Sequence, residues 1–191
     1  MVFLFFLSLL LFALTWTVIK SKEFGVAPIA LVSGLIKVIL CVIGTFIVLP
    51  FGGTDGIRFE QVAADWSLLS FSEIVRDINV SGSYLISSIT AIFYRAIDRD
   101  IIIPISINGI LGIFSFYLSL VLYKEVWGEK RVNKTFAILV ALHPMLNVNS
   151  AIVLRESYII FFILMASIFL AKFLKNRNFS CLLYTSDAAD E

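Results

Sequence analysis

Charge, histidine and cysteine are all scarce in this chain, and each shortage argues against something. Charged residues make up 15% and hydrophobic residues 60%, with a mean hydropathy of +0.97. A soluble domain is roughly a quarter charged. This chain has too little polar side chain to face water on all sides, so the bilayer is its natural solvent. His143 is the only histidine, which argues against a multi-histidine metal site or a Ser-His-Asp triad. Cys41 stands alone in an apolar run and Cys181 lies near the end. One buried thiol supports neither a disulfide nor a metal site. A glycine-rich phosphate loop and a dinucleotide fingerprint are both missing, as is any internal repeat.

The tail is foreign to the rest. "CLLYTSDAADE", residues 181–191, breaks the apolar pattern abruptly. It matches one reading frame of a transposase-based sequencing adapter: TGT CTC TTA TAC ACA TCT GAC GCT GCC GAC translates to Cys181 through Asp190. Residues 181–191 are therefore expected to be adapter read-through and are set aside from fold reasoning. Residues 1–180 then read as the N-terminal fragment of a longer protein, a piece expected to be inactive alone. Setting Asp187, Asp190 and Glu191 aside from 15 basic and 14 acidic residues leaves a net charge of +4. In a membrane fragment that charge does not suggest a nucleic-acid partner.

What is abundant is long apolar runs. A helix needs about 20 such residues, rising about 1.5 Å each, to cross about 30 Å of hydrocarbon. The candidates are 2–19, 26–49, 80–97, 101–123, 135–153 and 157–174. The first lacks a basic leader and a small-residue cleavage site, so it reads as a retained helix. Lys37, inside the second, snorkels or faces the bundle. The fold class expected is all-α: a polytopic transmembrane helical bundle in contact with membrane lipids.

One connection is long. Residues 50–79 form a polar loop in which Phe59, Val62, Ala63, Trp66 and Leu69 fall on one helical face. That predicts an interfacial amphipathic helix in the first large outer loop. Gly52 and Gly53 free the chain to turn, and Asp55 stands where an N-cap would sit. Topology is harder. Basic clusters prefer the cytoplasm, yet five candidate spans separate Lys20 and Lys22 from the cluster Lys172 to Arg177. An odd count requires one segment not to cross. The stretch around His143, Pro144, Asn147 and Asn149 is polar enough to be a broken helix lining a cavity.

Two places could carry chemistry. In "SAIVLRESYIIFFILMASIFLAKF", residues 150–173, Arg155 and Glu156 interrupt an apolar run. A central arginine costs about 2.5 to 3.5 kcal/mol on insertion scales. That cost is offset where the guanidinium grips a phosphate or carboxylate with both prongs; the plainer alternative is a helix end anchored at headgroup depth. In "GGTDGIRFEQVAADW", Asp55, Arg58, Glu60 and Asp65 crowd together. An acid there could take a proton from a hydroxyl or help hold a divalent cation. The alternatives are a helix cap for Asp55 and a solvated face for the others.

The order of these segments carries a resemblance. "GGTDGIRFEQVA" is followed by "YLISSITAIFYRAIDRDIIIPISINGILGIFSFYLSLVLYKEVWG" and then by "KTFAILVALHPMLNVNSAIVLRESYIIFFILMASIFLAKF". Over most of residues 45–175 the chain resembles membrane glycosyltransferases of the GT-C superfamily, in the protein O-mannosyltransferase and aminoarabinose transferase branch. The resemblance implies an integral-membrane enzyme, in a bacterial or archaeal plasma membrane. It would move a sugar from a polyprenyl-phosphate carrier to a glycan, lipid or protein acceptor on the outer face. It implies catalytic roles for Asp55 and Glu156 and suits Arg155 to the carrier phosphate; a lipid donor with its phosphate at headgroup depth adds Arg58 and Glu60 as candidate substrate-binding residues. A divalent cation at Asp55 is possible within the family logic; no other cofactor is implied. The departure is Gly56, where the family's first loop commonly carries a second acid. Two other readings are a polymerase or ligase of surface-polysaccharide assembly, and a transporter or flippase without covalent chemistry. A transporter predicts charges spread through the membrane depth and inverted repeats.

Overall fold

The computed structural model describes residues 1–47, 53–78, 84–128 and 131–176. Gly52, Lys130, Arg177 and the tail 181–191 lie outside the described residues. Within them the chain is helical: α1 (Val2–Ser21), α2 (Ala27–Phe46), α3 (Gly53–Trp66), α4 (Phe71–Ile78), α5 (Leu85–Ala96), α6 (Ile102–Trp127), α7 (Lys134–Leu142), α8 (Pro144–Asn149) and α9 (Glu156–Asn176). Four helical stretches are long and apolar enough to span: Val2–Phe24, Ala27–Phe46, Ile102–Trp127 and Glu156–Lys175. The protein is an all-α transmembrane bundle.

The central helix is α6, which packs against α1, α2 and α9. Small residues set the approach. A Cβ on Gly34 would run into Leu14, and one on Gly112 into the Ser150 side chain. Close backbone approach through small residues is how helices associate in lipid, where apolar side chains gain little by leaving the solvent. Gly128 closes α6 in the left-handed region at φ 71°, its N–H donating to the Lys124 carbonyl at 2.9 Å.

Two of the six expected spans have another form. The 80–97 segment becomes α5, 12 residues long, about 18 Å at the standard rise and short of the bilayer core. It packs on α3 and α4. The 135–153 segment is broken: α7 ends at Leu142, and Pro144 starts α8. His143 caps α8, its Nδ1 accepting from the Leu146 N–H at 3.4 Å. Asn147 donates to the carbonyl of Ala141 at 3.0 Å and accepts from Lys37 Nζ at 2.7 Å. Lys37 therefore faces the bundle, where Ser33 also accepts from it at 3.0 Å.

The short α5 removes the odd count. Lys175 approaches Glu125 at 4.0 Å, and Lys124 lies 5.7 Å from the Phe24 ring centre. The ends of α1, α6 and α9 therefore meet. Between them the chain runs away from this end along α2, back along α6, away again through the broken α7–α8 stretch and back along α9. Every described lysine except Lys37 gathers at this basic end.

The loop helix forms as α3, but its apolar face is covered by protein. Ala63 is fully buried, and Phe59 and Trp66 pack edge-on against Tyr84 at 5.7 and 6.0 Å. Leu68, which the pattern puts on the polar side, stands 83% exposed in the turn after α3. Ser70 and Glu73 start α4 as a reciprocal cap: the Ser70 N–H donates to Glu73 Oε2 at 2.8 Å, and the Glu73 N–H donates to Ser70 Oγ at 3.4 Å.

Candidate functional site: a polar cleft joined to an apolar groove

At the end opposite the lysines, α3 and the start of α9 enclose a cleft of about 290 Å³ lined by Asp55, Arg58, Phe59, Tyr84, Leu154, Arg155 and Glu156. Residues about 100 positions apart in the chain thus meet. On α3, Asp55, Arg58 and Phe59 are spaced i, i+3 and i+4, which puts them on one face. Gly56, turned inward and buried, lies against the backbone of Val153, where a Cβ would come within 3.4 Å of the carbonyl oxygen. That close seat brings the first turn of α3 beside residues 154–156. Gly56 is the position where the family's second acid was missed, and here it is a contact point between the two halves of the site.

Asp55 is not an N-cap. The helix begins at Gly53, so Asp55 sits in its first turn, where the exposed N–H groups still favour a negative charge. Asp55 makes no hydrogen bond or ion pair among the described residues. The other charges of the cleft are loosely held. Arg58 stands over the Tyr84 ring, 5.9 Å from its centre. Arg155 Nε is 4.0 Å from Glu156 Oε1, and Glu156 Oε2 is buried without a partner.

Arg155 also lines a second space. An apolar groove of about 420 Å³ runs from it between the starts of α5 and α9, walled by Leu85, Ile86, Tyr158, Ile159, Phe162 and Ile163. On α9 the wall residues follow Arg155 at i+3, i+4, i+7 and i+8, a continuous helical stripe. The guanidinium is therefore shared by a polar chamber and an apolar channel. Tyr84 and this stripe were missed at the sequence level, because an aromatic or aliphatic side chain in an apolar run looks the same whether it faces lipid, core or groove.

Glu60 is elsewhere. Its carboxylate receives both prongs of Arg99, Nε to Oε1 and Nη2 to Oε2, each at 3.0 Å, and the Tyr94 hydroxyl at 3.2 Å. It does not line the cleft. Among the described residues no group of three or more His, Cys, Asp or Glu side chains gathers to hold a metal ion; Asp55 and Glu156 are the carboxylates a cation entering the cleft would meet.

A family model for dolichyl-phosphate-mannose-protein mannosyltransferase matches residues 78–186, more than half of the chain. The chain belongs to this family. It is thus a GT-C membrane glycosyltransferase, of a family of membrane mannosyltransferases that draw on a polyprenyl-phosphate sugar donor. The matched stretch contains Arg155, Glu156 and the whole groove; Asp55 and Arg58 precede it. No curated protein and no solved structure matches the chain.

Proposed function

We propose that the cleft and groove together hold a polyprenyl-phosphate-linked sugar at the outer membrane boundary, and that Asp55 and Glu156 act on it there. The observation that carries this reading is the double position of Arg155, which borders both the polar cleft and the apolar groove. A polyprenyl phosphate has the same two-part character: an isoprenoid that belongs in hydrocarbon and a phosphate that needs a cation. Arg155 can grip phosphate oxygens bidentately, while Ile159, Phe162 and Ile163 lie where the first isoprene units would run.

The outward orientation rests on charge. Among the described residues, Lys20, Lys22, Lys124, Arg131, Lys134, Lys172 and Lys175 lie at the opposite end against Arg58, Arg76, Arg95, Arg99 and Arg155 on the cleft side, and the excess of positive residues favours the cytoplasm. The cleft then opens on the far side. A bacterial or archaeal plasma membrane is part of the same proposal, supported by the resemblance to relatives in surface-polysaccharide assembly. The acceptor is a hydroxyl on a protein, a glycan or a lipid.

The chemistry follows from the positions. The acceptor oxygen attacks C1 of the sugar and the C1–O bond to phosphate breaks, with its electron pair leaving on the polyprenyl phosphate. Asp55, whose side chain has no partner among the described residues, takes the acceptor's proton as general base. Arg155 holds the growing negative charge on the departing phosphate, stabilisation that increases toward the oxocarbenium-like transition state. Glu156, whose side chain lines the cleft, accepts from a sugar hydroxyl and orients the ring. A divalent cation, where the enzyme uses one, would be held by Asp55 and Glu156 and would supply further stabilisation of negative charge beside Arg155.

The test is Asp55→Asn in the full-length protein, assayed with polyprenyl-phosphate mannose. General-base catalysis contributes about 10²–10⁴-fold, so turnover should fall by about that factor while donor KM stays close to that of the wild type. Wild-type turnover in that variant would reject Asp55 as base.

A further inference from the structure

Arg155 and Glu156 do not stand on a regular element until α9 begins. The chain reaches them through Ser150–Leu154, an irregular stretch buried among α2 and α6. Backbone of this kind is tolerated at membrane depth only where protein satisfies it. Four carbonyls before and within the stretch are met by side chains. Ser157 Oγ donates to Asn149 O at 2.9 Å, and Cys41 Sγ to Ser150 O at 3.2 Å. Two more, Ile152 O and Leu154 O, are both held by one group, the Nδ2 of Asn108 on α6, at 2.5 and 2.9 Å; Ile152 O also accepts from the Leu154 N–H at 2.9 Å. Leu154 is itself a wall of the cleft and immediately precedes Arg155.

We infer that Asn108 is a positioning residue for the candidate site: its side-chain amide clamps the carbonyls of Ile152 and Leu154 and so fixes the height and direction of Arg155 at the mouth of the groove. This rests on the reading of Arg155 as the phosphate-binding group. Asn108 is fully buried, 47 residues from Arg155 in the chain, and is not itself a lining residue of the cleft. Both of its amide hydrogens are used on this one stretch. A residue serving the general stability of the bundle would have no need to bind alternate carbonyls next to the site. The two bonds restrain the stretch as a two-point clamp does, against rotation as well as shift, and a misplacement of about 1 Å in a binding group costs on the order of 10²-fold in rate.

The test uses farnesyl phosphate as probe, binding to the full-length protein in detergent, with thermal unfolding followed in parallel. Asn108→Leu, similar in size but without donors, should weaken farnesyl phosphate about tenfold. In an Arg155→Ala background the same change should produce no further loss, because the group being positioned is gone. An equal loss in both backgrounds would mean a merely structural role and overturn the inference. Wild-type affinity in Asn108→Leu would overturn it while leaving the phosphate-site reading intact. Wild-type affinity in Arg155→Ala would overturn that reading and this inference together. Should Asn108→Leu fail to fold, Asn108→Asp, of the same size with at most one donor, is judged by the same comparison and should weaken binding about threefold.

Discussion

Arg155 has opposite surroundings on its two sides, and that decides what residue the position can hold. A guanidinium offers a planar fork and is weakly hydrated; a lysine ammonium is a compact, strongly hydrated point charge. Arg155→Lys should raise donor KM about tenfold, the equivalent of about 1.4 kcal/mol, with a smaller effect on kcat; donor-saturation kinetics on the full-length protein measures it, and an unchanged KM would reduce Arg155 to a membrane anchor. Arg155 and Glu156 were legible because a charge inside an apolar run is costly and needs a reason. Asp55 was legible from its place in a polar loop beside the membrane. Glu60 looked equivalent to Asp55 in the sequence, yet its partners Arg99 and Tyr94 lie 39 and 34 positions away, and nothing in spacing announces such a pairing. Asn108 was equally silent, since a lone asparagine in an apolar helix shows no partner until the fold supplies one.

The elements around the site are held in register by small side chains and caps. Gly44 on α2 lies against the stretch leading to Arg155: a Cβ there would come within 2.5 Å of the Ala151 carbonyl oxygen. Backbone cannot step aside as a flexible side chain can. Gly44→Ala should therefore destabilise by about 1–3 kcal/mol, the usual range for overpacking, and thermal unfolding in detergent would show it. The α4 cap gives a pH-dependent counterpart away from the membrane spans. Hydrogen bonds from the Ser70 hydroxyl and backbone hold the Glu73 carboxyl below its ordinary value of 4.5. A depressed carboxyl stabilises fully above the ordinary value and loses its effect as pH falls through the folded one. Amide exchange in α4, corrected for intrinsic rates, should thus be steady from neutral pH down to about 4.5 and quicken below it, and Ser70→Ala should weaken that dependence, leaving the part owed to the Ser70 N–H. The capping pattern Ser-Phe-Ser-Glu was present in the sequence and overlooked beside the stronger α3 pattern. The length of α5 was not readable: residues 80–97 are apolar enough to span, and only the packing of α3 and α4 on them shows that they serve a different purpose.

For the molecule as a whole, one arrangement accounts for charge, helix count and site together. Lysines collect at one end, the polar cleft forms at the other, and an apolar groove leads from the cleft along α9. The bundle was predictable because hydropathy reports spans directly. The topology was not, because a count of six spans conflicts with the basic clusters: the polar stretch around His143 looked like the segment that fails to cross, whereas the short helix is α5. The same arrangement offers an internal control: a second apolar groove of about 250 Å³, lined by Pro28, Ile29, Val32, Ile138, Ala141 and Leu142, which borders no arginine. Photocrosslinking with a diazirine-bearing polyprenyl phosphate, read by mass spectrometry and competed with unlabelled carrier, tests the central claim most directly. Competable adducts are predicted on Ile159, Phe162, Ile163 and on Leu85 or Ile86, and they should be lost in Arg155→Ala. Adducts confined to the groove at Pro28 and Leu142, or unaffected by Arg155→Ala, would contradict the account.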